Sequence, residues 1–145
     1  MTKYVCGFLF DKTLNLVVLI EKLRPAWQSG HWNGVGGHIE PGETPIQAMV
    51  REFKEEAGLD ITDWLQFCTL TGPNFEVSFF YSIIDEDKIM NVKTMTDEKL
   101  GIWPVDRAGM IEFPVLPNIR WLLPMALISV KEHTAFNVIV DSPEE

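Results

Sequence analysis

Short apolar runs bounded by Gly, Pro, Asn and Asp residues recur along the chain, and this pattern predicts more strands than helices. Strands are predicted over residues 4–10, 16–21, 64–71, 75–84, 102–105 and 135–140, with a short glycine-rich strand or turn beginning at Val35. Residues 45–57 have helical spacing, and we interpret the apolar segment at residues 118–131 as a second helix. Two helices covering a sheet predict an α/β sandwich.

The first of these helices has start and stop signals in the sequence. Thr44 is the predicted N-cap, Pro45 takes the first helical position, and Gln47 follows three residues after the cap. Gly58 provides a C-terminal stop. The apolar stripe expected to pack on the sheet consists of Ile46, Val50, Phe53 and Ala57.

Composition and charge narrow the classes of function. At 145 residues, 46% hydrophobic and 23% charged, the chain fits one globular domain over residues 1–145. A net charge of −9 without a basic cluster argues against polymeric nucleic acid as a partner. No apolar run reaches the length of a membrane span, so no membrane association is expected. Cys6 and Cys68 are expected to be buried free thiols in a reducing compartment, and the predicted location is cytoplasmic.

The densest concentration of charge lies in the first helix and the loop before it, where four carboxylates surround one arginine. Like charges at helical spacing repel one another, whereas a divalent hard cation takes oxygen ligands and removes that repulsion. Glu52 and Glu56, one helical turn apart, are placed to hold one ion, and Glu55 can ligate it directly or through water. Arg51 is expected to reach a different side of the helix from Glu52. It is interpreted as an orienting partner of Glu43 or Glu55.

Glycines beside this cluster point to phosphate chemistry. Gly36 and Gly37 let the backbone approach a metal ion or phosphates closely, and the Gly36 carbonyl is a candidate ligand. A bound cation neutralises phosphate charge and lowers the pKa of an attacking water. His31 and His38 flank the glycines, but carboxylates dominate and favour Mg²⁺, with Mn²⁺ as a substitute. Both histidines are therefore interpreted as bystanders.

The whole segment at residues 37–59 resembles a known family signature. The pattern G-x5-E-x7-R-E-(apolar)-x-E-E-x-G-(apolar) is the Nudix box, and the chain matches it at Gly37, Glu43, Arg51, Glu52, Phe53, Glu55, Glu56, Gly58 and Leu59. The resemblance implies a Nudix-type α/β/α sandwich with a mixed β-sheet and a loop–helix–loop catalytic motif. It also implies Mg²⁺- or Mn²⁺-dependent cleavage of a nucleoside diphosphate linked to another group. A homodimer is suggested by the same likeness.

The likeness also implies individual roles. Glu52 and Glu56 look like the principal metal ligands, with Glu55 as a third and Glu52 as a possible base. In the MutT-like branch a further carboxylate comes from a loop just before a late strand. Glu98 stands at a similar place, next to Asp97, and is favoured as an extra ligand or base; the alternative is that both only solvate the loop. The predicted catalytic set is Arg51, Glu52, Glu55 and Glu98.

Further candidate substrate-binding residues lie outside the box at residues 37–59. Asn118 follows a stretch resembling the segment before the last helix of MutT-like proteins, where an asparagine reads the purine edge. The alternative is that Asn118 caps the second helix. Trp32 and Phe75 lead the candidates for stacking on a base, followed by Trp27, with core packing as the alternative. Arg24 is a candidate phosphate contact or a solvated surface residue.

Three hypotheses for the function remain open. Markers of the ADP-ribose and dinucleoside polyphosphate branches match residues 71–81 only loosely, so a MutT-like hydrolase of nucleoside triphosphates leads. It would release a monophosphate and pyrophosphate. The second hypothesis is an ADP-ribose or nucleotide-sugar pyrophosphatase. The third is a non-catalytic Nudix-fold regulator that binds nucleotides, although such proteins commonly lose a box glutamate and Glu52, Glu55 and Glu56 are intact here.

Overall fold

Eight strands form one mixed sheet with helices on both faces, in a computed structural model that describes residues 1–110 and 112–141. The strands are β1 (Thr2–Asp11), β2 (Leu16–Glu21), β3 (Trp32–Asn33), β4 (Val35–His38), β5 (Leu65–Thr71), β6 (Phe75–Ile84), β7 (Leu100–Pro104) and β8 (Phe136–Ile139). The α-helices are α1 (Pro45–Ala57), α2 (Glu86–Ile89), α3 (Val105–Ala108) and α4 (Ile119–Glu132), and a 3₁₀ helix spans Ala26–Gln28. The domain predicted over residues 1–145 includes residue 111 and residues 142–145, which lie outside the described residues.

The central strand β1 is paired along both of its edges. Strands follow the order β3-β2-β1-β6-β5-β8, with β1–β6 and β5–β8 parallel. One edge of β1 pairs with β6 along its whole length. The other edge is shared, because Leu9 and Phe10 pair with β2 whereas residues 4–7 pair with β4. This division holds β4, which leads through a short loop into α1, against the middle of the sheet.

Each face of the sheet has its own hydrophobic core, and the predicted α/β/α sandwich is confirmed. On one face α1 buries Met49, Phe53 and Ala57 with Trp64 and Phe80 of the sheet side. On the other face α4 buries Ile119, Leu122 and Leu123 with Phe8 and Phe67. Each fully buried large apolar side chain contributes about 1.5–3 kcal/mol, so both helices are held mainly by these contacts.

The face that α1 turns to the sheet differs from the predicted stripe. Ile46 is 41% exposed, and Ala48 and Met49 are buried in its place. The reason lies in the partner strand, because Gly7 of β1 has no side chain. The end of Met49 lies 2.7 Å from where a Cβ on Gly7 would be and so fills that space. The space above Gly7, which Met49 fills, therefore sets the rotation of α1 about its axis.

The predicted strands and helices are confirmed to within two residues at each end. Four short elements, β3, α2, α3 and the 3₁₀ helix, are not predicted. Each has too few residues to display a hydrophobic period, so only tertiary contacts define it.

Cys6 and Cys68 are both buried and free, as predicted. Burial raises the pKa of the Cys6 thiol to about 12, so this thiol is protonated and unreactive at neutral pH. Among the residues that the structure describes, no helix is long and apolar enough to cross a membrane.

Candidate active site

The start of α1 is anchored to the loop that follows β4. The Thr44 hydroxyl accepts a hydrogen bond from the Gln47 amide, and the Gln47 side chain accepts one from the Thr44 amide. This capping box satisfies two N–H groups that the helix leaves unpaired. At the other end Gly58 adopts the left-handed conformation, with φ of 78°, that ends the helix. The predicted caps and bounds of this helix are confirmed.

Arg51 is the centre of the carboxylate cluster. Its Nε and Nη2 atoms donate to the two carboxylate oxygens of Glu43 at 2.6 and 3.0 Å, and Nη2 also donates to the His38 carbonyl at 3.0 Å. Its Nη1 donates to Glu52 at 3.1 Å and to Glu55 at 3.3 Å. The expectation that Arg51 reaches away from Glu52 is wrong. The long arginine side chain turns its guanidinium back toward β4, where the Glu52 carboxylate also lies.

Electrostatics keep the Glu43–Arg51 pair charged. Hydrogen bonds from Arg51 hold the pKa of Glu43 below its usual range, and the bond to Glu43 raises the already high pKa of Arg51. A planar guanidinium suits this place because it binds several carboxylate oxygens at once. The Arg51 side chain is 24% exposed, so these ion pairs are less screened by water than ordinary surface pairs.

The glycines of β4 are needed for two different reasons. A Cβ on Gly36 would overlap the backbone carbonyl of Val5 in β1, which is fixed by strand pairing. A Cβ on Gly37 would overlap the Glu52 carboxylate, which lies directly over the strand. Gly36 therefore permits the β1–β4 pairing, whereas Gly37 makes room for the Glu52 side chain.

Alanine at the two positions is expected to give different outcomes. Gly36→Ala forces a methyl group into the β1 backbone and should lower the free energy of unfolding by about 2–4 kcal/mol. Gly37→Ala displaces only a flexible side chain and should cost less than about 1 kcal/mol. It should nevertheless weaken binding of a divalent cation by about tenfold or more, because Glu52 is moved. Urea unfolding and Mn²⁺ titration calorimetry measure the two effects; equal losses of stability would contradict this division of roles.

Glu56 lacks the pairing that its neighbours have. Its Oε2 atom is buried and has no hydrogen-bond partner among the described residues. Burial, aided by the charge of Glu52, raises the pKa of Glu56 to about 8. Burial also raises the pKa of Glu52, whereas the side chain of Glu55 is 57% exposed. Buried carboxylates this close together are stabilised in their charged form by a cation.

The donor set fits a hard divalent cation. Within residues 1–110 and 112–141, no three His, Cys, Asp or Glu side chains already form a coordinating group. One oxygen of Glu52 and one of Glu55 face Arg51 instead. A cation beside Glu56 would satisfy its orphaned oxygen and lower its pKa.

Glu98 lies near the helix carboxylates and is buried. It is 5% exposed and pairs with Lys22, whereas Asp97 is exposed and pairs with Arg24. The interpretation of both acidic residues as solvated therefore holds only for Asp97. The pKa of Glu56 is influenced most by burial and by the charge of Glu52, and next by the charges of Lys22 and Glu98. Lys22 and Glu98 therefore lie close to α1.

A cavity of about 510 Å³ opens beside the glycine strand. Gly36 and Gly37 form part of its wall. Its aromatic lining residues are Tyr4, Trp27, Phe75, Phe79 and Trp121. Its polar lining residues are Lys22, Arg24, Gln28, Asn33, His38 and Asn118. This volume, and a largely apolar wall with a few polar groups, are typical of a small-molecule site.

Three of the four predicted substrate-binding residues line this cavity. Gly37, Phe75 and Asn118 are among its lining residues. Asn118 does occupy the N-cap position of α4, but its side chain makes no cap hydrogen bond. Its buried Oδ1 has no partner among the described residues. Trp32 is not a lining residue. It packs edge-on against Trp103, with ring centroids 5.3 Å apart, because β3 pairing turns it toward β7.

Sequence reasoning missed most of the cavity wall, and Trp121 and Asn33 are two of the missed residues. Trp121 follows Asn118 by three residues, a helical spacing that places both on one side of α4 and that was available as a signal. Asn33 lies next to Gly34, and its Oδ1 accepts a hydrogen bond from the Gly34 amide at 2.8 Å. Nothing local in the sequence marks Asn33, because its side chain meets the cavity only through the pairing of β3.

Comparison with known proteins identifies the family of this domain. The NUDIX domain model matches residues 2–135. An 8-oxo-dGTP diphosphatase of Proteus vulgaris is 39% identical over 64 residues, which is 44% of this chain and 53% of that protein. A CTP pyrophosphohydrolase of Escherichia coli is 39% identical over 46 residues, which is 32% of this chain and 34% of that protein. The matched segments thus span about half or less of these relatives.

Solved structures share the fold over most of the chain. A MutT structure, described for Aliivibrio salmonicida and Vibrio cholerae, has a TM-score of 0.68 at 19% identity and covers 87% of this chain and 96% of its own. The NUDIX domain of Shewanella oneidensis NrtR, complexed with ADP ribose, has a TM-score of 0.74 at 16% identity, covering 88% of this chain and 87% of its own. At these identities the likeness establishes the fold alone. Since the NUDIX domain model spans most of the chain and the box residues Glu43, Glu52 and Glu55 assemble around Arg51, this chain belongs to the Nudix family.

Proposed function

We propose that the protein is a Mg²⁺-dependent, MutT-like hydrolase that converts a nucleoside triphosphate to its monophosphate and pyrophosphate. The observation that carries the proposal is the position of the aromatic cavity. Its wall includes Gly36 and Gly37, the strand segment over which the Glu52 carboxylate lies. A nucleotide with its base in the cavity would extend its phosphates along these glycines toward the carboxylates. The two curated relatives, whose names specify triphosphate substrates, support this class.

The cation would be held by oxygen ligands on α1 and β4. Mg²⁺, with Mn²⁺ as a substitute, supplies charge neutralisation on the phosphates and lowers the pKa of the attacking water. Glu52, Glu55 and Glu56 are the proposed ligands, together with the Gly36 carbonyl. Glu98 is not included in this set, because both its oxygens already accept hydrogen bonds.

Glu52 is the proposed general base. Burial raises its pKa, which makes its carboxylate a stronger proton acceptor than an exposed one. Arg51 donates to both Glu52 and Glu43 and so restrains the base over Gly37. As the water oxygen forms its bond to phosphorus, its proton passes to Glu52. The bond from that phosphorus to the leaving phosphate oxygen then breaks.

Aromatic and amide groups of the cavity would bind the base. Trp27, Phe75 and Trp121 offer ring faces, on which stacking tolerates any base. Asn118 offers a buried amide oxygen without a partner among the described residues, which suits a base N–H donor. Specificity would arise from this amide, since an unpaired buried acceptor penalises a base that lacks the matching donor.

Asn118→Leu tests this base contact. The substitution keeps the volume and removes the amide, so kcat/KM for the preferred triphosphate should fall by about 10–100-fold. Stability should stay the same or rise, because a buried oxygen without a partner is removed. Steady-state kinetics across purine and pyrimidine triphosphates measure the effect, with the exposed Asn91→Leu as a matched control. An equal loss for every base would refute base reading by Asn118.

The function itself is tested with a substrate panel. Purified protein with Mg²⁺ or Mn²⁺ is given nucleoside triphosphates, ADP-ribose and nucleotide sugars, and the products are identified. Pyrophosphate from triphosphates is the expected result. Two monophosphates from ADP-ribose would favour the alternative pyrophosphatase. Binding without turnover of any compound would favour a non-catalytic regulator, despite the intact box glutamates.

The partner is a small nucleotide and not polymeric nucleic acid, which the net charge of −9 supports. A cytoplasmic location is supported by two buried free thiols. A homodimer stays a prediction from the family likeness.

A further inference from the structure

The ladder between β2 and β7 determines where Glu98 lies. Ile20 pairs with Leu100, and the ladder continues through a hydrogen bond from the Glu21 amide to the Lys99 carbonyl. Two residues beyond the Ile20–Leu100 pair, Lys22 therefore stands opposite Glu98. Since alternate residues of a strand share a face, both side chains continue the face on which Ile20 packs into the α1 core. Strand register thus brings Glu98 to the side of the carboxylate cluster.

Both oxygens of the Glu98 carboxylate are occupied by donors from one segment. Oε1 accepts from Lys22 Nζ at 3.1 Å. Oε2 accepts from the Leu23 amide at 2.7 Å and from the Arg24 amide at 3.3 Å. Burial works to raise the pKa of Glu98, but these hydrogen bonds outweigh it and hold the pKa below its usual range. The carboxylate is therefore charged and already stabilised without a metal ion.

We propose that Glu98 is a positioning residue that fixes residues 22–24, and not a metal ligand as the family likeness suggested. Residues 22–24 lead directly into the cavity wall. The wall residues of this stretch are Lys22, Arg24, Pro25, Trp27 and Gln28. By holding the backbone at Leu23 and Arg24, Glu98 sets where that wall begins. Its role in substrate binding rests on the function proposed above.

The cost of moving Glu98 to a metal ion supports this assignment. Turning the carboxylate away would leave two backbone amides without their acceptor and the largely buried Lys22 ammonium without its counter-ion. Both losses are expensive in partly buried surroundings. Glu56, in contrast, has a buried oxygen with no partner in the described part of the chain. A cation could therefore bind the free oxygen of Glu56 without breaking an existing hydrogen bond.

The proposal is tested by Glu98→Gln, Glu98→Ala and Lys22→Met. Three quantities are measured: kcat and KM for a nucleoside triphosphate, Mn²⁺ affinity by titration calorimetry, and amide hydrogen exchange of residues 22–30. Asp85→Asn is the matched control, because it removes a carboxylate from an exposed ion pair with Lys12 remote from the site. It should change none of the three.

A positioning role predicts rescue by the conservative variant. Glutamine keeps an oxygen for the Leu23 and Arg24 amides, so Glu98→Gln should retain slow exchange there, with kcat and Mn²⁺ affinity within about threefold of wild type. Glu98→Ala should speed exchange at residues 22–24 by about tenfold or more and raise KM by about tenfold, with Mn²⁺ affinity unchanged. Lys22→Met should raise KM while exchange stays slow.

A ligand role predicts the reverse. If both Glu98 variants lose Mn²⁺ affinity by about tenfold or more and lower kcat at unchanged KM, Glu98 is a metal ligand and the proposal fails. If Glu98→Ala does not fold, Glu98→Gln and Lys22→Met decide between the two outcomes. If wild-type protein hydrolyses no nucleotide, the proposed function fails, but Mn²⁺ affinity and amide exchange still decide the role of Glu98.

Discussion

Glu56→Gln is expected to lower kcat by about a thousandfold, equivalent to about 4 kcal/mol of transition-state stabilisation, with the fold intact. Glutamine has nearly the same shape as glutamate but no charge with which to hold a cation. Because burial raises the pKa of Glu56 to about 8, a neutral side chain at this position should cost no folding stability. The loss should therefore appear in turnover and in cation affinity, and not in unfolding.

Steady-state kinetics, Mn²⁺ calorimetry and urea unfolding in EDTA separate these effects. Glu55→Gln gives a graded comparison, since this side chain is 57% exposed and should cost only about tenfold in kcat. Glu86→Gln, exposed on α2, is the control that should behave as wild type. Turnover near the wild-type rate in Glu56→Gln would remove Glu56 from the metal site.

Arg51→Met should destabilise the protein by about 2 kcal/mol and lower kcat by about a hundredfold. The side chain is the common hydrogen-bond donor to Glu43, Glu52 and Glu55. Its loss leaves like charges facing one another. It also frees the loop before α1, which Arg51 ties through Glu43, and the end of β4, which Arg51 ties through the His38 carbonyl. Arg51→Lys should restore part of the stability but little of the activity, because an ammonium cannot reproduce the planar fork.

Thermal and urea unfolding, with kinetics, measure these changes. Lys12→Met is the control, because it breaks an exposed pair with Asp85 and should cost no more than about 1 kcal/mol. Glu43→Gln combined with Arg51→Met provides a further check. If Arg51 acts through Glu43, the effects of the two changes are not additive. Additive losses would mean that Arg51 works independently of Glu43.

Local features were predictable from the sequence. The capping box at Thr44 and the stop at Gly58 define α1 through neighbouring residues alone, and the box spacing places Glu52 and Glu56 one turn apart. The strands around turns at residues 11–15 and 72–74 are likewise defined by local pattern. Such features depend on few long-range contacts, so a single sequence suffices to find them.

Features set by distant partners were not predictable. The rotation of α1 depends on the space above Gly7, and the direction of Arg51 depends on the His38 carbonyl. Trp32 is an aromatic residue of the kind that stacks on bases, but the pairing of β3 places it against Trp103. In each case the residue that determines the orientation of the side chain or helix is distant in the sequence. Hydrophobic periodicity carries no information about such a partner.

The two halves of the candidate site are built from different amounts of chain. The carboxylates come from α1 and the loop between β4 and α1, a continuous β4–α1 unit braced by Arg51. The cavity wall shares residues 36–38 of β4 with this unit, but most of it comes from β1, residues 22–28, β5, β6 and residues 116–121. Under the proposed function, changes in the wall outside β4 would therefore alter which base fits without disturbing bond cleavage. An architecture of this kind separates the evolution of substrate preference from that of the reaction, so redesign of preference can begin at Trp27, Asn118 and Trp121 while the β4–α1 unit is left untouched.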